Sequence, residues 1–328
     1  MQESRHNGGA GMEVLKRINV PVDANVYKVS HPQLPRNTYI LCMSSARKIL
    51  YDPVVCGERL RRLAIECNKT FLKTAWQLVP NLKKTRANDI CEVVVLRGGL
   101  AYALDVAFED LFDAFLPRCV IGARRYRISG EKFGAEIKYI NFDPLPDNGI
   151  LLMGDTIATG ASLSRTLAEV RDELRRRDYR VKKLLVFSIA AAFKGSTRLF
   201  EWEERFREWW PNFRIHFFAA EALFGLVDGT HLRFRKEGEA IVPEEVKKYV
   251  SKVYGDYERG FLPNNICAIF DWGDRSFRIE RHLKDVLRFA SSSLKATKDP
   301  KAKRILKRIQ RDAKLELKKL GWPLKRVR

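Results

Sequence analysis

Long apolar runs are missing from this chain. None approaches the roughly 18 residues that a membrane-spanning helix needs. The N-terminal stretch MQESRHNGGAGMEVLKR has no apolar middle of the kind a signal peptide carries. A soluble, cytoplasmic protein is therefore expected. Metal-binding and redox motifs are missing too. The six cysteines, Cys42, Cys56, Cys67, Cys91, Cys119 and Cys267, form no CxxC pair, and there is no HExxH. Several lie in apolar runs, as Cys91 does in CEVVVL, so buried reduced thiols are expected rather than a metal cluster. The five histidines are scattered and none is given a role. GxxxxGK[ST] is absent, which excludes a Walker-type phosphate loop.

Negative charge is the scarcer sign. Sixty-one Lys and Arg face forty Asp and Glu, a net of +21, and such an excess favours polyanionic partners, whether phosphates or nucleic acid. The excess is uneven. Residues 294–328 hold fourteen Lys and Arg against three Asp and Glu. Within them, 300–320 reads as a basic amphipathic helix with Ile305, Ile309, Ala313 and Leu317 on one stripe. That stripe can dock the helix on the body or a second copy, while its charged face can track a phosphate backbone. The expected organisation is a polar, glycine-rich and disordered segment over 1–12, a body over 13–292 and a basic helical tail over 293–328.

The hydrophobic pattern of the body alternates between two periods. Leu60, Leu63, Ala64, Cys67, Phe71 and Leu78 keep helical spacing, which predicts a helix over 57–79 ended by Pro80 and Asn81. Short continuous apolar runs at 91–96, 119–123, 150–153, 181–192 and 213–220 read as strands, the first and third buried on both faces as in a parallel sheet. Between them, 102–115, 162–177 and 197–210 read as helices. The segment 135–142 alternates like a half-exposed strand, 266–270 reads as a further short strand, and 233–262 as an excursion with one amphipathic helix. Strands alternating with helices imply an α/β fold, a doubly wound and mainly parallel sheet.

One stretch stands out, ILLMGDTIATGAS at 150–162. An apolar strand runs into Gly154 and Asp155, then Thr156, Ile157, Ala158, Thr159, Gly160, Ala161 and Ser162, and a helix follows. Small residues there let the chain turn tightly and present N–H groups and hydroxyls at a helix N-terminus, a favourable phosphate cradle. A carboxylate at the carboxyl end of such a strand lies where open α/β sheets bind ligands. It can accept hydrogen bonds from ribose hydroxyls. The plainer alternative is a strand–turn–helix with Thr159 or Ser162 as helix cap.

This segment resembles the phosphoribosyl pyrophosphate (PRPP) loop of type I phosphoribosyltransferases, and the ordered set of pieces around it is most similar to uracil phosphoribosyltransferase. VLRGGL, with Arg97 and Gly98, matches the family's strand ending in Leu-Arg-Ala-Gly-Leu. LPRCVIGARRYR supplies its Tyr-Arg pair as Tyr126 and Arg127. SIAAAFKG and PNFRIHFF match the strands after the loop. FDWGDR, 270–275, matches the late Gly-Asp-Ala-Gly-Asp-Arg segment through Asp271, Gly273, Asp274 and Arg275. The resemblance spans about residues 28–280. It implies transfer of ribose 5-phosphate from PRPP to a nucleobase, most readily uracil, giving UMP and pyrophosphate. Residues 154–162 would hold the ribose 5-phosphate. Arg97, Gly98 and Arg127 would meet the pyrophosphate. Asp271, with Asn265, Phe270 and Trp272, would place the base. Mg²⁺ would arrive with PRPP, and a homo-oligomer is implied.

The departures from the family also carry information. Gly154 stands where the first acidic residue belongs, and Cys267-Ala268-Ile269-Phe270 replaces a Pro-Gly-Leu-Gly that lets backbone approach the base. The insertion at 233–262 and the basic tail have no counterpart in the family. A transferase for another base, or a PRPP- or nucleotide-sensing protein of the same fold that contacts nucleic acid through its tail, are the alternatives. Nucleotide formation separates the enzyme from the sensor.

Overall fold

The computed structural model describes residues 4–6, 13–130 and 132–321. The first four strands are β1 (Ser4–His6), β2 (Glu13–Ile18), β3 (Asn25–Ser30) and β4 (Asn37–Cys42). They are followed by α1 (Ser44–Leu50), α2 (Gly57–Leu78), β5 (Ile90–Leu96), α3 (Gly98–Tyr102), α4 (Leu104–Phe112), β6 (Arg118–Ser129) and β7 (Lys132–Asn141). Then come β8 (Gly149–Gly154), α5 (Ala161–Arg176), β9 (Val181–Ser188), β10 (Ala191–Ala192), α6 (Phe193–Arg207), β11 (Arg214–Ala220), β12 (Leu223–Val227) and β13 (His231–Arg233). The chain closes with α7 (Glu244–Tyr254), α8 (Phe261–Asn265), α9 (Trp272–Phe277), α10 (Ile279–Ala296) and α11 (Pro300–Leu320).

Among the described residues the main sheet has the order β1-β2-β3-β4-β11-β9-β8-β5-β6-β7. Its centre, from β4 to β6, is parallel, and antiparallel strands flank it on both sides. The central strands are the apolar ones because helices cover both faces. β8 is buried at every position, and β5 at all but its last residue. The crossovers run in opposite directions from one seam. β5 leads through α3 and α4 to its neighbour β6, whereas β8 leads through α5 to β9 on the other side. Right-handed crossovers then place these helices on opposite faces. Accordingly α2 packs on α4, and α5 on α6. The pair β5/β8 is the topological switch point, and ligands in open α/β sheets bind outside the carboxyl ends of the strands there.

The α/β reading of the sequence stands, with several differences in detail. The antiparallel edge β2–β4 is legible in the structure only. The expected helix over 102–115 is split, since Ala103 takes a left-handed conformation (φ 51°) between α3 and α4, and the RGGL turn opens α3. The expected strand at 266–270 is absent. Cys267 makes a single bridge to Arg233, after which Phe270 turns to φ 57° and its N–H donates to Cys267 Sγ at 3.1 Å. Residues 4–6 pair with β2, and the rest of the expected disordered segment 1–12 lies outside the described residues. All six cysteines are free thiols and five are buried. No described helix is long and apolar enough to cross a membrane.

Candidate functional site

Four chain segments converge at the switch point. The β5 end brings Arg97 and Gly98, the β8 end brings Asp155 and the loop to Ser162, β6 and β7 bring Arg124, Arg125 and Lys138, and the turn before α9 brings Phe270, Asp271 and Trp272. Together they wall a cavity of about 650 Å³. The approach is close, for a Cβ on Gly98 would lie 3.3 Å from Asp155 Oδ1 and 3.8 Å from Trp272 Cδ1. The Leu96–Arg97 peptide is cis.

Each side chain is fixed by its neighbours. Asp155 Oδ1 accepts the Thr156 N–H at 2.8 Å, while its carbonyl accepts the Ser188 hydroxyl at 2.7 Å. Burial pushes the Asp155 carboxyl up to about 7, against the opposing pull of the Thr156 N–H and Arg125. Gly154 is the departure from the acidic pattern, and the structure gives its reason. A Cβ there would stand 2.9 Å from Tyr102 Cδ1, so no acidic side chain fits. Tyr102 is itself fully buried, with its hydroxyl between Thr156 Oγ1 (3.2 Å) and the Ile189 N–H (3.1 Å).

The loop 156–160 is gripped from behind. Ile157 bonds through its N–H to Ala190 O at 3.0 Å and through its carbonyl to the Ala192 N–H at 2.7 Å. Gly195 of α6 backs onto it so closely that a Cβ would be 2.0 Å from Ala158 O. Gly160 takes φ 75° and caps α5, leaving the Gly160, Ser162 and Leu163 N–H groups without acceptors among the described residues. Free N–H groups at the start of a sixteen-residue helix are what an anion needs. Four cations, Arg97, Arg124, Arg125 and Lys138, line the cavity against two carboxylates, Asp155 and Asp271, so its balance is positive.

The structure gathers most of the residues singled out in the sequence: Arg97, Gly98, Asp155 through Ser162, Phe270, Asp271 and Trp272 all line the cavity. Arg127 does not. It lies near the hairpin tip, stacked 4.8 Å from the Phe133 ring and donating to Gly130 O at 2.5 Å. Arg125, two residues farther from the hairpin tip and 4.7 Å from the same Phe133 ring, stands in the field of Asp271 and Asp155 instead. Arg125 and Arg127 share one face of β6, as residues two apart on a strand do, so sequence spacing could not separate them. Asn265 donates to Phe261 O at 2.7 Å and faces an adjoining recess rather than the main cavity. Asp271 caps α9 by accepting the Asp274 N–H at 2.7 Å. Trp272 is 4% exposed and packs 4.8 Å from the Tyr102 ring, with its indole N–H unpartnered among the described residues.

Arg275 and Asp274, the remaining charged matches of FDWGDR, are structural. Arg275 is fully buried and donates to the carbonyls of Ile49, Asp52, Val55 and Ile269 at 2.8–3.2 Å, which ties the turn before α9 to the α1–α2 connection. Asp274 pairs with Arg278 at 2.6 Å and Arg281 at 3.2 Å.

No protein-family profile and no curated protein matches this chain. Solved structures are similar only at low level. One is a hypothetical protein from Neisseria gonorrhoeae with bound ppGpp, 14% identical over 39% of this chain and 66% of that one, with a TM-score of 0.27. Another is a hypoxanthine phosphoribosyltransferase from Trypanosoma cruzi in complex with IMP, 17% identical over 60% of this chain and 92% of that one, with a TM-score of 0.28. Similarity at this level supports no inference about activity.

Proposed function

We propose that the chain is a PRPP-dependent phosphoribosyltransferase that passes ribose 5-phosphate to a nucleobase. One observation carries this reading. A largely buried carboxylate, Asp155, and a phosphate-cradling helix start, 159–163, occupy the same strand-to-helix connection and open on one cationic cavity. A ribose 5-phosphate has hydroxyls at one end and a dianion at the other, and this connection offers a partner for each.

In that reading the N–H groups of Gly160 and Ser162, with the Thr159 and Ser162 hydroxyls, hold the 5′-phosphate. Asp155 accepts from the ribose hydroxyls. Arg97, exposed at the cavity edge, meets the diphosphate, and Arg125 takes the place that the sequence gave to Arg127. As the C1–oxygen bond breaks, charge builds on the departing diphosphate, where fixed cations stabilise it more than they stabilise the bound substrate. Asp271 and Phe270 border the side on which the base approaches C1. Catalysis is positioning and charge stabilisation, with no covalent nucleophile. Mg²⁺ fits as a passenger of PRPP, since the cavity offers two carboxylates and Mg²⁺ binds readily through substrate phosphates. When bound, it neutralises diphosphate charge.

Uracil is the base that the sequence resemblance favours. Incubating the protein with PRPP, Mg²⁺ and a panel of labelled bases tests the proposal, with nucleoside monophosphate and pyrophosphate as the expected products in equal amounts. PRPP binding without nucleotide formation from any base would instead make it a sensor.

A further inference from the structure

A second basic recess, of about 690 Å³, lies at the end of the sheet opposite the cavity. Tyr179 and Arg180, just before β9, place it at the amino ends of the strands. α5 starts at the loop of the main cavity and runs sixteen residues to this recess, about 24 Å at 1.5 Å per residue. Arg171, Arg175, Arg176 and Arg180 line it against Asp172 and Asp178. Asp172 pairs with Arg171, and Glu173 with Arg176 and Arg177, at 2.6–2.7 Å. Arg175 and Arg180, both exposed, have no ion-pair partner among the described residues.

Aromatic rings are set among these cations. Trp209, just after α6, is 51% exposed, and the Arg175 guanidinium lies over its ring at 3.6 Å. The buried Trp202 holds Arg171 at 5.5 Å and Arg205 at 4.8 Å. Trp210 is anchored against Phe206 at 5.6 Å. Cations in the last turn of a helix complement its dipole. That accounts for Arg175 and Arg176. It does not account for Arg180, beyond the helix end, or for a large indole left in water.

We propose that this face binds single-stranded nucleic acid. Unpaired bases stack on indoles and on guanidinium planes, and the phosphates between them need cations alongside. Arg175 and Trp209 offer the stack, and Arg180 offers an unpaired charge next to it. Duplex bases are already stacked inside the helix, so an exposed indole gains nothing from them. The net charge of +21 favours encounter with any polyanion, and the indole is what selects the single strand. The site stands apart from the main cavity and does not depend on the phosphoribosyl reading.

Fluorescence anisotropy tests this with a labelled single strand of about 12 nucleotides, within the usual footprint of such sites, and with its duplex, each at two salt concentrations. The proteins are wild type, Trp209→Ala, Trp209→Phe, Arg175→Gln/Arg180→Gln and, as a control on α11, Lys307→Gln/Lys314→Gln. Wild type is expected to prefer the single strand. Trp209→Ala is expected to weaken that binding about tenfold, as loss of one stacked base does, with an unchanged Tm and an unchanged salt dependence. Trp209→Phe, which keeps a ring, is expected to restore most of the affinity. Arg175→Gln/Arg180→Gln is expected to weaken binding and to flatten its salt dependence, because fewer counterions are released. Equal affinity for the duplex, wild-type affinity in Trp209→Ala, or a loss confined to the α11 control would each overturn the proposal. So would polyglutamate competing as well as the unlabelled strand, which would make the partner an acidic protein. Sedimentation showing a wild-type dimer that Trp209→Ala dissociates would also overturn it, as the face would then join two copies of the chain.

Discussion

Asp155 sets two demands against each other. Burial raises its carboxyl to about 7, so between the usual carboxylate range and pH 7 the folded protein holds a proton that the unfolded chain has released. Stability therefore falls as pH climbs through that window, and the deficit is complete above it. Glu221, fully buried and also raised to about 7 despite its 2.9 Å pair with Arg47, acts in the same direction. Asp155→Asn keeps an acceptor for the Thr156 N–H while removing the charge. Its Tm is expected to exceed that of wild type at pH 8 and to match it at pH 4.5, as thermal melts at the two pH values will show. An equal Tm at pH 8 would mean that the carboxylate is not desolvated. The same substitution is expected to weaken PRPP binding, since a hydrogen bond to a charged group contributes about 1.5–3 kcal/mol. Arg97 makes the opposite case, an exposed cation whose partner, in the proposed reading, would arrive with the ligand. Arg97→Ala is expected to lower kcat by roughly 10²–10³, the usual loss on removing a group that stabilises transition-state charge. UMP, which lacks the diphosphate, should bind it almost normally. Equal losses in turnover and UMP affinity would show that Arg97 is only structural.

At the scale of elements, the loop at 156–160 depends on a helix distant in sequence. Gly195, in the first turn of α6, lies against Ala158 O, and a methyl group there would collide at 2.0 Å. Gly195→Ala is expected to cost about 1–3 kcal/mol through overpacking and to displace the loop, so that PRPP affinity falls while no binding residue is changed. A variant that melts lower yet binds PRPP normally would show that the loop does not need this backing. The elements also show what the sequence could and could not reveal. β5, β8, β9 and β11 were legible because burial on both faces makes them continuous apolar runs, and α2 was legible from Leu60, Ala64, Cys67 and Phe71 on its inner stripe. The loop at 155–162 was legible because its small and hydroxyl residues have no core role. Arg125 and Tyr102 were not, since a position along a hairpin and a packed ring each depend on contacts between distant segments. The turn at 266–270 misled for a related reason: ICAIF is apolar because it is buried, and Arg275 draws its Ile269 carbonyl out of a strand path.

For the whole molecule, the basic C-terminal segment belongs to the body. α11 packs on α10, with Ala302, Leu306, Ile309 and Ala313 buried, so Leu306 takes the inward place that the stripe gave to Ile305. Lys301 Nζ also reaches Ser251 O of α7 at 3.1 Å. Burying Leu306 and Ile309 contributes about 1.5–3 kcal/mol each, a large part of the roughly 5–15 kcal/mol that holds a domain folded. Truncation at residue 298 is therefore expected to lower Tm steeply and to cause aggregation, seen by melting and sedimentation. A truncated protein that stays monodisperse with an unchanged Tm would make the helix dispensable. Its outward lysines and arginines are exposed, and any polyanion binding through them should weaken steeply with salt. The proposal that the switch-point cavity holds PRPP is tested most directly by calorimetric titration of PRPP with Mg²⁺ into wild type and Asp155→Asn. The expected result is one site per chain in the wild type and a loss of affinity of roughly tenfold or more in the variant. Absence of PRPP binding by the wild type, or identical affinity in both proteins, would contradict it.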